Sequence, residues 1–168
     1  MKYIISLALI LGGFVGFSQS PLEDDLDQLN FGIGYFLEGI PFYVGYDVAV
    51  HDDITVGLNG NVRFFQESGD TADYDHFIWG FMFNGNYHFN TALNLDNKKW
   101  DAYAGLNVGF YKWSSPEDYV IIETDNTGIG AGAQLGGRYY FSNWAVNLEV
   151  QGGMELIGVM LGASYKFD

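Results

Sequence analysis

The sequence predicts an all-β protein, an eight-stranded antiparallel transmembrane β-barrel. Three observations lead to this class: apolar residues recur with period two along eight segments, bulky and small residues separate onto opposite faces, and aromatic residues gather at both ends of the segments. After the N-terminal segment, no apolar run reaches the about 18 residues that indicate a membrane-spanning helix. The spanning elements are therefore expected to be strands.

The composition narrows the class further. The chain has 168 residues, enough for one domain, with 23 glycines, 18% aromatic residues and no cysteine. The lack of cysteine excludes disulfides, cysteine-ligated metals and cysteine nucleophiles. Because 21 Asp and Glu stand against 7 Lys and Arg, nucleic acid is not expected as a partner.

The first residues predict an exported protein. Lys2 precedes an apolar run over residues 3–17, and the small residues Gly16 and Ser18 fit a signal-peptidase site. We expect a signal peptide over residues 1–18, an acidic periplasmic tail over 19–28 and an outer-membrane barrel over 29–168.

Eight strands follow from the alternation and from turn-forming residues between the segments. Their predicted ranges are 29–38, 42–50, 54–64, 77–89, 100–111, 128–141, 144–152 and 157–167. Short polar or proline-containing turns are expected at 39–41, 51–53 and 142–143. Long acidic connections are expected at 66–76 and 112–127, with both chain termini at the opposite, periplasmic end.

Residue size decides which face of the strands points outward. One face is apolar, aromatic or glycine throughout, as at Val56 and Leu58, whereas the other carries polar residues such as Asn59 and Asn61. An eight-stranded barrel is only wide enough inside for its own side chains, so the bulky face must point outward, into lipid. The alternative is a water-soluble, lipocalin-like binder with the apolar face inward, which this volume argument opposes.

Outward aromatic residues are predicted to form girdles at the two membrane interfaces, separated by an aliphatic belt. The girdle residues are Tyr35, Phe42, Phe64, Trp79 and Phe110 at one end, and Phe89, Trp100, Phe141 and Trp144 at the other.

Charged residues also occur at inward positions. They are Asp47, Arg63, Asp101, Arg138, Glu149 and Lys166. Three acids and three bases can neutralise one another inside a barrel, so a network of ion pairs is expected, with a selective pore as the alternative. Asp101 and Arg138 are the expected partners because they lie near the same end of consecutive strands. Large inward residues, among them Tyr43, Met82 and Tyr103, predict a filled interior.

Segments 101–110, 136–146 and 161–167 carry a further signal. They resemble the small outer-membrane β-barrel family of Gram-negative bacteria, of the OmpA/OmpX and porin-like type, and the end of the signal segment, residues 17–20, is similar to the Bacteroidetes version. The resemblance implies location in the outer membrane, with outer-membrane lipid and the β-barrel assembly machinery as partners. It also implies a C-terminal assembly signal at Gly162, Tyr165 and Phe167.

Candidate catalytic and metal-binding residues are sparse. His51, His76 and His88 fall in a turn, at a loop edge and at one end of the interior, so no shared metal is expected. Three serines are considered as nucleophiles. None of them is expected to have a histidine and an acid beside it: Ser114, Ser115 and Ser164. We therefore expect a non-enzymatic protein with no catalytic residues, no metal site and no cofactor.

Two hypotheses for function remain. The first is a porin-like outer-membrane protein that is structural or weakly permeable to small solutes. The alternative is a surface interaction or adhesion protein that binds an unidentified external ligand through its two acidic loops. Those loops carry eight carboxylates, which could collect Ca²⁺, although solvated loop tips are the simpler interpretation. The acidic residues are Glu67, Asp70, Asp73, Asp75, Glu117, Asp118, Glu123 and Asp125.

Overall fold

The computed structural model describes residues 27–68, 73–93, 99–115, 127–153 and 157–167. The eight predicted strands are confirmed within these ranges. They are β1 (Asp27–Phe36), β2 (Ile40–His51), β3 (Ile54–Ser68), β4 (Asp73–His88), β5 (Trp100–Ser114), β6 (Gly128–Phe141), β7 (Trp144–Gly153) and β8 (Gly158–Lys166). No helix in the described part of the chain is long and apolar enough to cross a membrane.

The strands form one closed antiparallel barrel. Each strand pairs with the next in sequence, and β1 pairs with β8 to close the ring. Because the strands alternate in direction, the start of β1 and the end of β8 lie at the same end, here called the terminal end. The connections after β1, β3, β5 and β7 leave from the opposite end, here called the loop end.

The side chains along each strand point alternately to an apolar exterior and to a polar interior. On β5, Leu106 is 72% exposed and its neighbour Asn107 only 8%. The same contrast separates Leu148, at 54%, from Asn147, at 5%. A large apolar exterior around a polar interior is the arrangement of a transmembrane barrel, so the predicted facing of the strands is confirmed and the lipocalin-like alternative is wrong.

Glycines explain how aromatic side chains fit into so narrow an interior. The inward rings of Phe36, Tyr43, Tyr103 and Tyr111 each lie opposite a glycine of the neighbouring strand in the register. At Gly136, for example, a Cβ would collide with the ring of Tyr103. The small residues of the inner face therefore provide the space that the large ones occupy.

The strand ends differ from the prediction at several places. β1 begins at Asp27 and ends at Phe36, because the Phe36 amide already bonds the Gly39 carbonyl across a tight turn. Gly39 has a φ of 96°, a conformation that side chains rarely adopt. Two residues of the predicted N-terminal tail, Asp27 and Gln28, thus belong to the barrel, and the remaining tail and the signal segment lie outside the described residues.

The largest difference is the β3–β4 hairpin. Pairing continues beyond the partners Phe64 and Phe77 through four more residue pairs to Ser68 and Asp73. Most of the connection predicted at residues 66–76 is therefore a hairpin that extends the sheet at the loop end. The prediction that residues 119–122 lengthen the next hairpin concerns residues outside the described ranges.

Candidate functional site

Arg138 is the centre of the charged interior. Its Nη2 lies 2.9 Å from the Asp47 Oδ2 and its Nη1 lies 3.4 Å from the Asp101 Oδ2, and all three side chains are buried. The guanidinium carbon also stands 4.3 Å from the centre of the Tyr103 ring. Asp101 and Arg138 are direct register partners on β5 and β6. The structure therefore brings the expected pair together and adds a second carboxylate at shorter distance.

His88 also belongs to this cluster, a contact that was not predicted from the sequence. Its Nδ1 is 2.7 Å from the Asp101 Oδ1, and its Nε2 is 3.1 Å from the Thr55 hydroxyl. Asp101 thus contacts Arg138 with one oxygen and His88 with the other. The alternation along the strands places Thr55, His88 and Asp101 on the inner face near the terminal end. This signal in the sequence could have predicted that the three side chains lie close together.

The other three inward charges have contacts of their own. The Arg63 Nη1 lies 3.3 Å from the Glu38 Oε2 near the loop end, between the rings of Phe36 and Tyr111. The Lys166 Nζ lies 4.9 Å from the Tyr140 ring centre.

Glu149 is held by hydrogen bonds. It accepts one from the Tyr103 hydroxyl at 2.7 Å and one from the Gln151 amide at 2.5 Å. Tyr103 therefore links Glu149 to the Arg138 cluster, whereas the Arg63–Glu38 pair lies near the loop end.

Hydrogen-bonded amides and hydroxyls fill the space between the charges. The Asn30 side chain accepts a hydrogen bond from Ser164 at 2.7 Å and donates one to Asp47 at 2.9 Å. On the other wall, the Gln134 amide donates to Asn86 at 2.6 Å. A cavity of about 30 Å³ lies between these groups, which is room for about two water molecules.

A turn after β4 is held by side-chain hydrogen bonds at the terminal end. The Asn90 amide donates to the Trp100 carbonyl at 2.6 Å and accepts from the Ala102 backbone at 3.1 Å. The Thr91 hydroxyl donates to the Asp53 carboxylate at 2.5 Å. Both Asn90 and Thr91 are buried, so this turn ties β4 to β5 and to the turn between β2 and β3.

The predicted girdle residues lie on the outer surface at the two ends. Trp79 packs edge-to-face on Phe110 at 6.0 Å near the loop end, and Trp100 packs on Tyr139 at 4.8 Å near the terminal end. The exposed members are Tyr35, Phe42, Phe64, Phe110, Trp100, Phe141 and Trp144, with Trp79 and Phe89 half-exposed.

The residues of the predicted assembly signal have distinct environments. Tyr165 lies between Trp144 at 5.0 Å and Phe167 at 5.2 Å on the outer surface. Gly162 faces inward, where a Cβ would collide with the Tyr43 hydroxyl and the Phe31 carbonyl. Packing alone thus accounts for the glycine, and recognition by the assembly machinery stays a prediction.

The three histidines have different environments. His51 accepts a hydrogen bond from the Asp53 amide in the turn after β2, His76 lies near the loop end, and His88 lies inside. The described residues contain no group of three or more metal-ligating side chains. Of the acidic-loop residues, Asp70 and the four between 117 and 125 fall outside the described ranges.

For Ser115, the expectation that no histidine or acid is close is wrong. Its hydroxyl lies 3.0 Å from the His76 Nδ1, and the His76 Nε2 lies 3.4 Å from the Glu67 Oε2. The contact arises because β3 and β4 extend farther than predicted and carry Glu67 and His76 beside the end of β5. Ser164, in contrast, bonds the amides of Asn30 and Asn147 inside the barrel.

Comparison with known proteins supports the fold. No protein-family model matches the sequence, and no curated protein matches it. The outer membrane protein OprG from Pseudomonas aeruginosa has a TM-score of 0.67 at 11% identity, over 86% of this chain and 97% of that chain. Neisserial surface protein A, NspA, has a TM-score of 0.56 at 12% identity, over 84% and 94%.

A third solved structure is Ail, the attachment invasion locus protein of Yersinia pestis, in complex with the heparin analogue sucrose octasulfate. Its TM-score is 0.51 at 18% identity, and the match covers 86% of this chain and 99% of that chain. At these identities the likeness concerns the fold, which this chain shares with small eight-stranded outer-membrane β-barrels.

Proposed function

We propose that this protein is an outer-membrane barrel that is structural or weakly permeable to small solutes. The apolar exterior between two aromatic girdles favours insertion in a bilayer, and the signal-like residues 1–18 favour export. Outer-membrane lipid and the β-barrel assembly machinery are its proposed partners. This role requires no catalytic residue, metal or cofactor.

The filled interior is the observation that carries this proposal. Phe36, Tyr111 and Arg63 are buried near the loop end, and the Arg138 cluster lies deeper in the barrel. At the terminal end, the buried Tyr140 hydroxyl donates to the buried Gln28 side chain across the interior. Because side chains occupy each of these levels, the barrel offers no wide path for solutes.

Planar-bilayer recording tests this proposal. We expect the refolded chain to show little or no conductance in potassium chloride, far below that of a general porin. A Tyr103→Ala variant, which removes an inward ring that is 2% exposed, provides a matched comparison with a partly emptied interior. Flotation of the same vesicles establishes that the protein has inserted. Stable conductance of porin size from the unmodified chain would contradict the proposal.

The surface interaction hypothesis is the second candidate, and the long β3–β4 hairpin favours it. Four residue pairs extend beyond Phe64 and Phe77, which is about 13 Å of strand. This extension carries Glu67, Asp73 and Asp75. An acidic surface of this kind suits a cationic partner better than a sulfated one such as the heparin analogue in the Ail complex.

A further inference from the structure

A histidine at the loop end is fixed between two aromatic side chains. The His76 ring stacks on Phe65 at 6.0 Å and meets Trp113 edge-on at 5.7 Å. Its exposed fraction is 3%. The ring is therefore positioned by packing, with its two nitrogens directed at different neighbours.

Those two neighbours are a hydroxyl and a carboxylate. The Nδ1 lies 3.0 Å from the Ser115 Oγ, and the Nε2 lies 3.4 Å from the Glu67 Oε2. The Nε2 contact is an ion-pair separation and not a hydrogen bond; in the neutral imidazole with its proton on Nε2, Nδ1 can accept the serine proton. Nucleophile, base and orienting acid thus occur in the order that activates a serine. The 3.4 Å separation is long for a hydrogen bond, but catalytic contacts often tighten only when substrate binds.

Accessibility distinguishes this group from the similar one inside the barrel. Thr55, His88 and Asp101 also place a hydroxyl, an imidazole and a carboxylate in sequence, but their exposed fractions are 1%, 0% and 2%. Ser115 is exposed at the loop end, and the Glu67 side chain is 42% exposed. A substrate outside the barrel can therefore reach Ser115, whereas Thr55 is enclosed.

We propose that Ser115 is the nucleophile of an acyl-transfer site that hydrolyses carboxylic esters at the loop end. His76 is the general base, and Glu67 is a positioning residue that orients it. The activity goes beyond the structural role proposed above and replaces the expectation of a non-enzymatic protein.

The reaction balances with water as the second substrate. The Ser115 oxygen bonds to the acyl carbon while its proton passes to the His76 Nδ1. That proton then leaves with the alcohol as the ester C–O bond breaks. Water, deprotonated by His76, attacks the acyl-serine, and the carboxylic acid departs as the serine regains its proton.

Labelling with a fluorophosphonate probe tests the nucleophile in the full refolded barrel. We expect the unmodified chain to be labelled and Ser115→Ala to lose labelling by at least about 100-fold. The matched control is Ser114→Ala, which alters the adjacent hydroxyl on the opposite face of β5 and should label normally. Urea unfolding of each variant establishes that the barrel is folded. Absence of labelling in the unmodified chain, or equal labelling of Ser115→Ala, would overturn the proposal.

The same assay tests His76 and Glu67. His76→Gln should lower the labelling rate by about 100-fold or more. Glu67→Gln should lower it less, and Glu67→Asp, which keeps a carboxylate at this position, should restore part of the rate. A Glu67→Gln variant with an unchanged rate, or a Glu67→Asp variant no faster than Glu67→Gln, would overturn the positioning role.

Two ester substrates identify the source of the acyl group. Turnover of p-nitrophenyl butyrate in detergent alone would indicate soluble short-chain esters, and fatty-acid release from phosphatidylethanolamine vesicles would indicate membrane lipid. Either activity supports the site if Ser115→Ala abolishes it. Absence of turnover of both substrates by the unmodified chain overturns the proposal. These outcomes are independent of the conductance measurement, so failure here leaves the proposed structural role intact.

Discussion

Arg138→Gln is expected to destabilise the refolded barrel by about 3–5 kcal/mol, because it leaves two buried carboxylates without their shared cation. The guanidinium contacts Asp47 at 2.9 Å and Asp101 at 3.4 Å, and each of the three residues is at most 4% exposed. Urea unfolding in phospholipid vesicles measures the free energy. Lys112→Gln, which removes an exposed cation at the loop end, should change stability little.

The two carboxylates should differ in their coupling to Arg138. Asp47→Asn in a double-mutant cycle with Arg138→Gln should show the larger coupling energy, because that contact is shorter. Asp101→Asn should couple less strongly, since the His88 imidazole also holds Asp101 at 2.7 Å. Additive effects in both cycles would mean that the Arg138 cluster does not form in the membrane.

Leu106→Arg is expected to cost about 2–4 kcal/mol, the price of a cation near the bilayer midplane. Leu106 is 72% exposed on the outer surface and lies midway along β5, opposite Gly85 and Ala133. Its side chain therefore points to the middle of the lipid. The efficiency of folding into vesicles and the free energy of unfolding both report the effect.

The control for Leu106→Arg is the same substitution at the membrane edge. Val50 is 53% exposed and lies next to the turn at the terminal end of β2, so Val50→Arg should cost about 0–1 kcal/mol. Equal costs at the two positions would show that the exterior does not face a bilayer.

The fold could be predicted from the sequence because its main signal is local. Alternation along each strand and the size difference between the two faces depend only on neighbouring residues, and the same parity correctly placed Asp101 and Arg138 inside. Strand ends were less predictable. The acidic composition of residues 66–76 suggested a loop, but cross-strand contacts such as Phe65 with His76 continue the sheet.

The contacts between distant residues were the least predictable part. Asp47 reaches Arg138 across the interior although the two strands are not neighbours. The pairing of Arg63 with Glu38 depends on a turn that begins earlier than predicted. Likewise, the approach of Ser115 to His76 follows from the extra length of β3, β4 and β5. Alternation along a strand predicts whether a side chain points inward or outward. The stagger between strands determines how far along the barrel axis the side chain lies, and therefore which side chains it contacts.

The central claim is an apolar exterior in contact with lipid around a packed polar interior, and spin-label accessibility along β7 tests it most directly. The chain lacks cysteine, so single cysteines at Ala145, Val146, Asn147, Leu148 and Val150 can each carry a nitroxide in vesicles. We expect oxygen, which concentrates in lipid, to relax the label strongly at 146, 148 and 150, and a water-soluble nickel chelate to relax it weakly at all five. Strong relaxation by the chelate at positions 146, 148 and 150 would show that the outer surface faces water. Strong relaxation by the chelate at positions 145 and 147 would show that the interior is filled with water. Either result would contradict the account.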